Sequence, residues 1–364
     1  MTPLLLALLA LLSTASAASL WVPTTPQTIH PYALKNGHGL PLGGGNTFPV
    51  TGNSSGGAFC ILNTNAAGSF SVTSPGLFPH VHRKTYENFY AFKGRVQLWG
   101  QNVHSFRANT SVQTTRVLSQ GDIGAIPPDT IHTFTLLEPD TQLTGVLVPG
   151  GFEEFFFAMA VNPNPGAGGL PGAGGFDVEG LAKWDVYPEL AFQARRDAVN
   201  GKAGPGNWYD GPNALPGNMD APIWVAKNYG PRWLSEEGGR YQIVAPFVRG
   251  EETNGTFSQG TITIGEQRGE VEKVKSEVAT AFMVEEGELE VRVDGFDAVR
   301  LVYGDVVFVP GGIGFEYEAK AGFTKFMYVT GGGKGLDWDL IQKGRTWNSA
   351  FFPRGQTGGR MMRI

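Results

Sequence analysis

The sequence contains a single cysteine, Cys60, so the chain cannot form an internal disulfide and must be stabilised by packed cores. Its 28 basic residues are outnumbered by 33 acidic ones and form no basic runs, which argues against binding to nucleic acid or to a membrane. Long apolar runs are lacking too, since the one at residues 4–12 is too short to span a bilayer. Cys60 lies in an apolar segment, and we predict that it is buried.

The chain has 52 glycines and 24 prolines among 364 residues, a composition suited to many short strands joined by turns. Its length exceeds that of one ordinary core, and we expect two domains. Short apolar segments alternate with Gly, Pro and Asn between residues 45 and 150, and the pattern returns between 241 and 329. This pattern is typical of an all-β protein.

The beginning of the chain predicts export from the cell. The apolar run at residues 4–12 is followed by small residues at 13–18, which indicates a signal peptide over 1–18 that is cleaved near Ala17 or Ala18. Three N-glycosylation sequons begin at Asn53, Asn109 and Asn254, and they agree with a secreted, extracellular protein.

The domain organisation follows from composition. A segment rich in Pro and Gly at 162–175 predicts a flexible linker, and residues 177–222 look irregular. We therefore expect a signal peptide at 1–18, an N-terminal domain at 19–161, a linker region at 162–222 and a C-terminal domain at 223–364. One helix is predicted at 152–159, where Glu153 and Glu154 suit a helix N-terminus.

Three of the six histidines form one pattern with a glutamate. His80 and His82 are two positions apart and share one face of a strand. Glu87 lies in an alternating aromatic run, and His132 follows a Pro-Pro-Asp turn in another strand-like segment. Three imidazoles and one carboxylate that converge inside a β-barrel would bind a first-row transition metal and leave room for a substrate.

The second half of the sequence repeats the turn residues of the first half but not its candidate ligands. The repeated residues are Gly94, Gly121, Asp122 and Pro127 in the first half and Gly287, Gly304, Asp305 and Pro310 in the second. Counting back from Gly287 places Lys273, Lys275 and Thr280 at the positions of the first three ligands, and Phe315 stands at the fourth. We therefore expect one half that binds metal and one that does not.

The spacing His-x-His-x4-Glu-x6-Gly, followed by Gly-x5-Pro-x-Asp-x2-His, resembles the two cupin motifs, with Asp129 where the family has glycine. Further segments resemble the fungal quercetin 2,3-dioxygenases, which are copper bicupins. These segments are 79–90, 98–99, 115–118, 132–134, 144–146, 148–152, 241–248 and 309–312. The resemblance implies an all-β bicupin fold, with two cupin β-barrel (jelly-roll) domains, short helices, a Gly/Pro-rich linker and a C-terminal domain without metal.

The resemblance also implies an activity. A metal-dependent flavonol dioxygenase opens the heterocyclic ring of quercetin-like flavonols with O2 and yields a depside and carbon monoxide. His80, His82 and His132 would bind copper, and Glu87 would serve as an occasional ligand and as the catalytic base that deprotonates the flavonol 3-hydroxyl. Copper is the metal we favour, and manganese, iron, nickel and cobalt are alternatives for this donor set. A homodimer is a further expectation of the resemblance.

A flat aromatic substrate requires an apolar slot with few polar anchors. Phe89 shares a strand face with Glu87, and Phe134 shares one with His132, so both are candidate substrate contacts. The other substrate-binding positions that the resemblance implies are Leu62, Thr64, Leu143 and Leu147.

Two other functions remain open at this point. An oxalate-type manganese bicupin has the same fold, but a small dicarboxylate would require arginine in the pocket, and no strand position flanking the ligands is arginine. A storage or binding bicupin without catalysis would not need an intact ligand set surrounded by aromatic residues.

Overall fold

The computed structural model describes residues 17–43, 45–66, 78–160, 178–206, 208–209, 213–236, 240–266, 270–349 and 352–353. Most of the predicted signal peptide and the whole predicted linker at 162–175 lie outside the described residues. Within the described ranges, no helix is both long and apolar enough to cross a membrane.

The first half of the chain consists of short strands with three short helices. The strands are β1 (Tyr32–Leu34), β2 (Leu40–Gly43), β3 (Asn46–Val50), β4 (Cys60–Asn65), β5 (His80–Val81), β6 (Tyr86–Lys93), β7 (Val96–Asn102), β8 (Thr114–Leu118), β9 (Ile123–Ile126), β10 (Thr130–Leu136) and β11 (Gln142–Val148). The helices are α1 (Gly52–Ser55), α2 (Val103–Arg107) and α3 (Glu153–Ala160). Helix α3 confirms the helix predicted at 152–159.

The region predicted to be irregular contains α4 (Val178–Leu181), a 3-10 helix (Ala182–Trp184), β12 (Tyr187–Pro188) and β13 (Lys202–Ala203). The second half consists of β14 (Ile223–Val225), β15 (Trp233–Ser235), β16 (Gln242–Val248), β17 (Ser258–Gly265), β18 (Val274–Lys275), β19 (Thr280–Glu286), β20 (Leu289–Val293), β21 (Val299–Leu301), β22 (Val306–Val309), β23 (Gly314–Ala319), β24 (Phe323–Thr330), α5 (Leu336–Lys343) and β25 (Arg345–Thr346).

The N-terminal half is a pair of facing sheets. One has the strand order β14-β9-β6-β11-β4-β3-β2, and the other has the order β12-β5-β10-β7-β8-β13. The ring of Phe89 on β6 lies 5.6 Å from that of Phe134 on β10, so the interior of this half lies between the two sheets. The two antiparallel sheets and their alternating side chains are compatible with a jelly roll, although the sheets do not close into a barrel.

The C-terminal half repeats this architecture with the strand orders β1-β22-β19-β24-β17-β16-β15-β25 and β18-β23-β20-β21. Its central order β22-β19-β24-β17 corresponds to β9-β6-β11-β4 of the first half. Glu87 pairs with Ile126 and Leu147, and the equivalent Thr280 pairs with Val309 and Thr330. The all-β bicupin fold implied by the resemblance is therefore confirmed.

The sheets do not follow the expected domain boundaries strictly. Strand β1 belongs to the first half by sequence, but it pairs with β22 of the C-terminal half. Strand β14 pairs with β9 of the N-terminal half, and β12 and β13 also join N-terminal strands. The predicted linker region thus contributes strands to the sheets of the N-terminal half, because its backbone groups complete the sheet edges.

The two halves share a buried core formed by the outer faces of β6 and β11 on one side and of β19 and β24 on the other. Polar bonds cross this core, among them those from Asn88 Nδ2 to Gln259 Oε1 at 2.9 Å and from Tyr90 Oη to Glu285 Oε2 at 2.7 Å. Because buried polar groups are costly when unpaired, these bonds fix the orientation of one half on the other.

The strand register corrects one expectation for the second half. Val274 pairs with Phe315 as His80 pairs with His132, so Val274, not Lys273, stands at the place of His80. In the first half, the backbone carbonyl of His82 accepts a hydrogen bond from the backbone N–H of Asp129. In the second half, the carbonyl of Ser276 accepts the equivalent bond from Gly312. Ser276, not Lys275, therefore stands at the place of His82. The loop before Thr280 is one residue shorter than its counterpart, which the sequence count did not include.

The structure also shows the environment of the single cysteine and of the three sequons. Cys60 is free and buried, as predicted. The three sequon asparagines, Asn53, Asn109 and Asn254, are all exposed.

Candidate metal centre

The structure brings the four candidate ligands together in the interior of the N-terminal half. His80 lies on β5 and pairs with His132 on β10, while Glu87 reaches them from β6 in the opposite sheet. His82 follows β5 directly, so it shares the inward face with His80. All four side chains are buried, and their ligand atoms lie within 4.8 Å of one another.

Backbone carbonyls fix the tautomer of each histidine. In all three rings Nδ1 lies at hydrogen-bond distance from a carbonyl oxygen, which can only accept, so Nδ1 carries the proton and donates. The bonds run from His80 to Phe78 at 3.0 Å, from His82 to Asp185 at 2.7 Å and from His132 to Thr130 at 3.0 Å. In the neutral rings the lone pairs are therefore on Nε2.

These Nε2 atoms converge with one carboxylate oxygen. The Nε2 atoms of His80 and His82 are 3.2 Å apart, and Oε2 of Glu87 lies 3.0 Å from Nε2 of both His82 and His132. Lone pairs that face one another and a carboxylate repel unless a proton or a cation lies among them. Three imidazole nitrogens and a carboxylate oxygen fit a first-row transition metal, so the residues present are suited to hold one.

The electrostatics favour the ligand forms of these groups. Burial, together with the charges of His132 and His82, holds the pKa of His80 well below its ordinary value of 6.5, so this ring is neutral at physiological pH. Burial favours the neutral acid of Glu87, but without a metal a proton on Nε2 of His132 or His82 hydrogen-bonds to the carboxylate, and this effect outweighs burial and lowers the pKa of the carboxyl below 4.5. Glu87 is therefore ionised.

Each imidazole also has an aromatic neighbour. The ring centroids of Phe78 and His80 are 5.8 Å apart, those of Phe152 and His82 are 4.8 Å apart, and those of Phe89 and His132 are 5.7 Å apart. These rings exclude water from the ligands and strengthen electrostatic interactions among them. Phe78 and Phe152 are not among the residues predicted from the sequence, although Phe78 is next to the histidine motif and Phe152 ends a segment that resembles the family.

The other predicted substrate contacts face the same interior as Glu87. Cross-strand pairing aligns Leu147 with Glu87, and it aligns Leu143 with Thr64 on the same side. Leu62 and Phe89 both pair with Gly145 on this face. Phe134 and Thr64 keep part of their surface exposed, and the remaining predicted contacts are buried.

Gly145 has no side chain in this interior, and a Cβ placed there would make only ordinary van der Waals contacts of 3.8 Å with Leu62 and Leu147. The equivalent position in the second half is Tyr328, whose buried side chain occupies the corresponding interior. The rings of Phe282, Phe315, Tyr317 and Phe326 fill the rest of that core. One interior thus has the ligand cluster and a glycine at the position where the other has a tyrosine, and that other interior is packed with aromatic side chains.

The chain is similar to one curated dioxygenase along almost its whole length and to a second over about a third of it. It is 38% identical to quercetin 2,3-dioxygenase of Aspergillus japonicus over 356 residues, which cover 92% of this chain and 99% of that protein. It is 29% identical to quercetin 2,3-dioxygenase of Bacillus subtilis over 139 residues, 36% of this chain and 35% of that one. No family model matches the chain.

Solved structures with a similar chain path include oxalate decarboxylases. A variant of the Bacillus subtilis enzyme matches with a TM-score of 0.47 and 16% identity, covering 80% of this chain and 74% of that chain. The formate complex of the Lactobacillus farciminis enzyme matches with a TM-score of 0.47 and 13% identity, covering 80% and 82%.

Proposed function

Because the chain belongs to the quercetin 2,3-dioxygenase family, we propose that it is a secreted copper enzyme that opens the heterocyclic ring of flavonols such as quercetin. In the proposed reaction one O2 is consumed and two carbon–carbon bonds of the ring break. Carbon 3 leaves as carbon monoxide with its own oxygen, and both atoms of O2 remain in the depside. The observation that carries the proposal is the buried His80, His82, Glu87 and His132 cluster beside an apolar interior.

The three histidines would hold the metal through Nε2, with Glu87 beside it. Bound copper would supply a Lewis acid that stabilises the flavonolate oxyanion. Donation from each Nδ1–H to a carbonyl holds the rings in place before the metal enters, so little reorganisation is needed. Copper is favoured over manganese, iron, nickel and cobalt by the general order of affinities for nitrogen donors.

Glu87 is the proposed catalytic base. The carboxyl group is ionised, its Oε2 atom lies 3.0 Å from Nε2 of both His82 and His132, and it faces the interior that the substrate must enter. A carboxylate within hydrogen-bond reach of the flavonol 3-hydroxyl can accept its proton and leave the electron-rich anion that reacts with O2.

The apolar lining sets the class of substrate. Phe89, Leu143 and Leu147 are buried on the ligand face, and Phe134 lies partly exposed beyond them. We infer that a planar aromatic substrate enters past Phe134 and Thr64 and lies against these side chains, with its 3-hydroxyl toward Glu87. A small dicarboxylate would find no cationic partner among these side chains, which argues against an oxalate-type reaction, and a storage protein would not need the ligand cluster.

Secretion is part of the proposal and rests on the predicted signal peptide and on the exposure of Asn53, Asn109 and Asn254. Expression with the native N-terminus in a eukaryotic host should give glycosylated protein in the medium that begins near residue 18. Light scattering of this material after removal of glycans would decide between the implied homodimer and a monomer.

The test of the proposed function is turnover of quercetin by copper-loaded protein in air, followed by loss of flavonol absorbance and by release of carbon monoxide. The matched control is His132→Phe, which installs the residue found at the same place in the second half. We expect equal amounts of flavonol consumed and carbon monoxide formed with the wild type, and neither with the variant. If a fully copper-loaded wild type leaves quercetin intact, the proposed function is wrong.

A further inference from the structure

The segment that follows α4 runs alongside the first metal-ligand strand. Strand β12 pairs with β5, with Tyr187 opposite Val81 and Pro188 opposite His80. Val186 is buried in an apolar cluster with Phe155 and Leu181. The region predicted to be irregular therefore forms one wall of the metal centre.

Asp185, at the start of this wall, contacts the metal centre in two ways. Its side chain accepts four hydrogen bonds from the loop that joins His82 to Glu87. The donors are Arg83 N at 3.0 Å, Lys84 N at 2.9 Å, Thr85 N at 2.9 Å and Thr85 Oγ1 at 3.0 Å. Three successive backbone N–H groups around one carboxylate form an anion-binding nest, so the loop and Asp185 hold each other in one conformation.

The second contact is made by the backbone. The carbonyl oxygen of Asp185 accepts the bond from Nδ1–H of His82 at 2.7 Å, the shortest of the three bonds that orient the imidazoles. The residue adopts a left-handed conformation with φ of 60°, which aspartate tolerates better than most residues. The carboxylate thus anchors the backbone whose carbonyl sets the orientation of a ligand.

The half that lacks the ligand set holds its equivalent loop differently. There the hydroxyl of Ser276 accepts a bond from Val278 N at 3.3 Å and donates to Val278 O at 3.0 Å. A local serine is sufficient for this shorter loop. The long-range carboxylate contact thus occurs in the half that has the ligands.

We propose that Asp185 is a positioning residue for the metal centre, which fixes the ring of His82 and the loop leading to Glu87 and thereby sets the affinity for copper. The inference rests on the proposed function only for the identity of the metal. Replacement of a residue that orients a ligand histidine typically weakens metal binding by about 10- to 100-fold.

The experiment measures copper affinity of the full chain by competition with a chelator, without flavonol, together with the Cu(II) EPR spectrum at full occupancy. The variant is Asp185→Ala, and the control is Asp140→Ala. Asp140 also adopts a left-handed conformation, with φ of 61°, but it lies in an exposed turn where it pairs with Lys93. We expect Asp185→Ala to bind copper at least about 10-fold more weakly and to change the EPR spectrum, and Asp140→Ala to match the wild type.

A second variant keeps the inference testable if Asp185→Ala does not fold. Asp185→Asn retains one acceptor oxygen but places an NH2 group among the N–H donors, so we expect intermediate affinity. Copper affinity and EPR spectra equal to the wild type in the folded Asp185 variants would overturn the inference alone. A loss of copper affinity in Asp140→Ala equal to that in Asp185→Ala would also overturn the inference. A wild type that binds no copper would overturn it together with the proposed function.

Discussion

Replacement of Glu87 by glutamine distinguishes a catalytic base from a side chain that only occupies its place beside the histidines. Glutamine has nearly the same shape, and its amide can still occupy the place where Oε2 lies 3.0 Å from His82 and His132. The three imidazoles remain to hold copper, but the amide cannot accept a proton. General base catalysis contributes about 10²- to 10⁴-fold, which corresponds to about 3–5 kcal/mol of barrier.

We therefore expect Glu87→Gln to reduce kcat by at least about 100-fold at equal copper occupancy, with a smaller change in KM. The assay follows quercetin loss at saturating substrate, with copper measured in each sample. Glu87→Asp is the control, because it keeps a carboxylate and should retain more activity than glutamine. A kcat for Glu87→Gln within roughly threefold of the wild type would refute the assignment of Glu87 as the base.

Four further predictions concern stability, each measured by urea unfolding. Lys325→Met removes the ammonium that lies 3.2 Å from the buried carboxylate of Glu285, and it should lower the free energy of unfolding by about 3 kcal/mol. Tyr90→Phe removes the hydrogen bond that crosses from the first half to the same carboxylate and should lower the free energy of unfolding by about 1–3 kcal/mol. If neither variant is destabilised, the buried network around Glu285 does not stabilise the fold. Phe282→Ala should lower the free energy of unfolding by about 3–5 kcal/mol, because it leaves a cavity in the second core, and should leave the copper stoichiometry unchanged. A changed copper stoichiometry would contradict the separation of the two interiors. In the metal-free protein the pKa of Glu87 is lower in the folded than in the unfolded chain, so the unfolded chain binds the proton first and the free energy of unfolding falls as pH drops below 4.5. We expect this free energy to fall less steeply with pH in Glu87→Gln. An equally steep fall in the variant would contradict the prediction.

The ligand cluster could be predicted from the sequence because its geometry follows from strand periodicity. Side chains two apart share a face, so His80 and His82 had to point the same way once a strand was assumed. Helix α3 was predictable for a similar reason, since Glu153 and Glu154 mark a helix N-terminus after two glycines. These signals depend only on near neighbours in the chain.

The rest depended on contacts between distant segments. Asp185 lies about a hundred residues from the loop it binds, in a stretch without periodicity, and no local pattern indicates its partner. The exchange of β1 and β14 between the halves depends on which sheet edges are open, which composition does not encode. The register of Val274 was missed because counting from a motif cannot detect a loop shortened by one residue.

The most direct test of the account is a titration of metal-free protein with copper while quercetin turnover is measured. Because one interior has the ligands and the other is packed with aromatic side chains, activity should rise linearly and reach its plateau at one copper per chain. His132→Phe should remain inactive throughout the titration. Full turnover by the metal-free protein, or a plateau at two coppers per chain, would contradict the account.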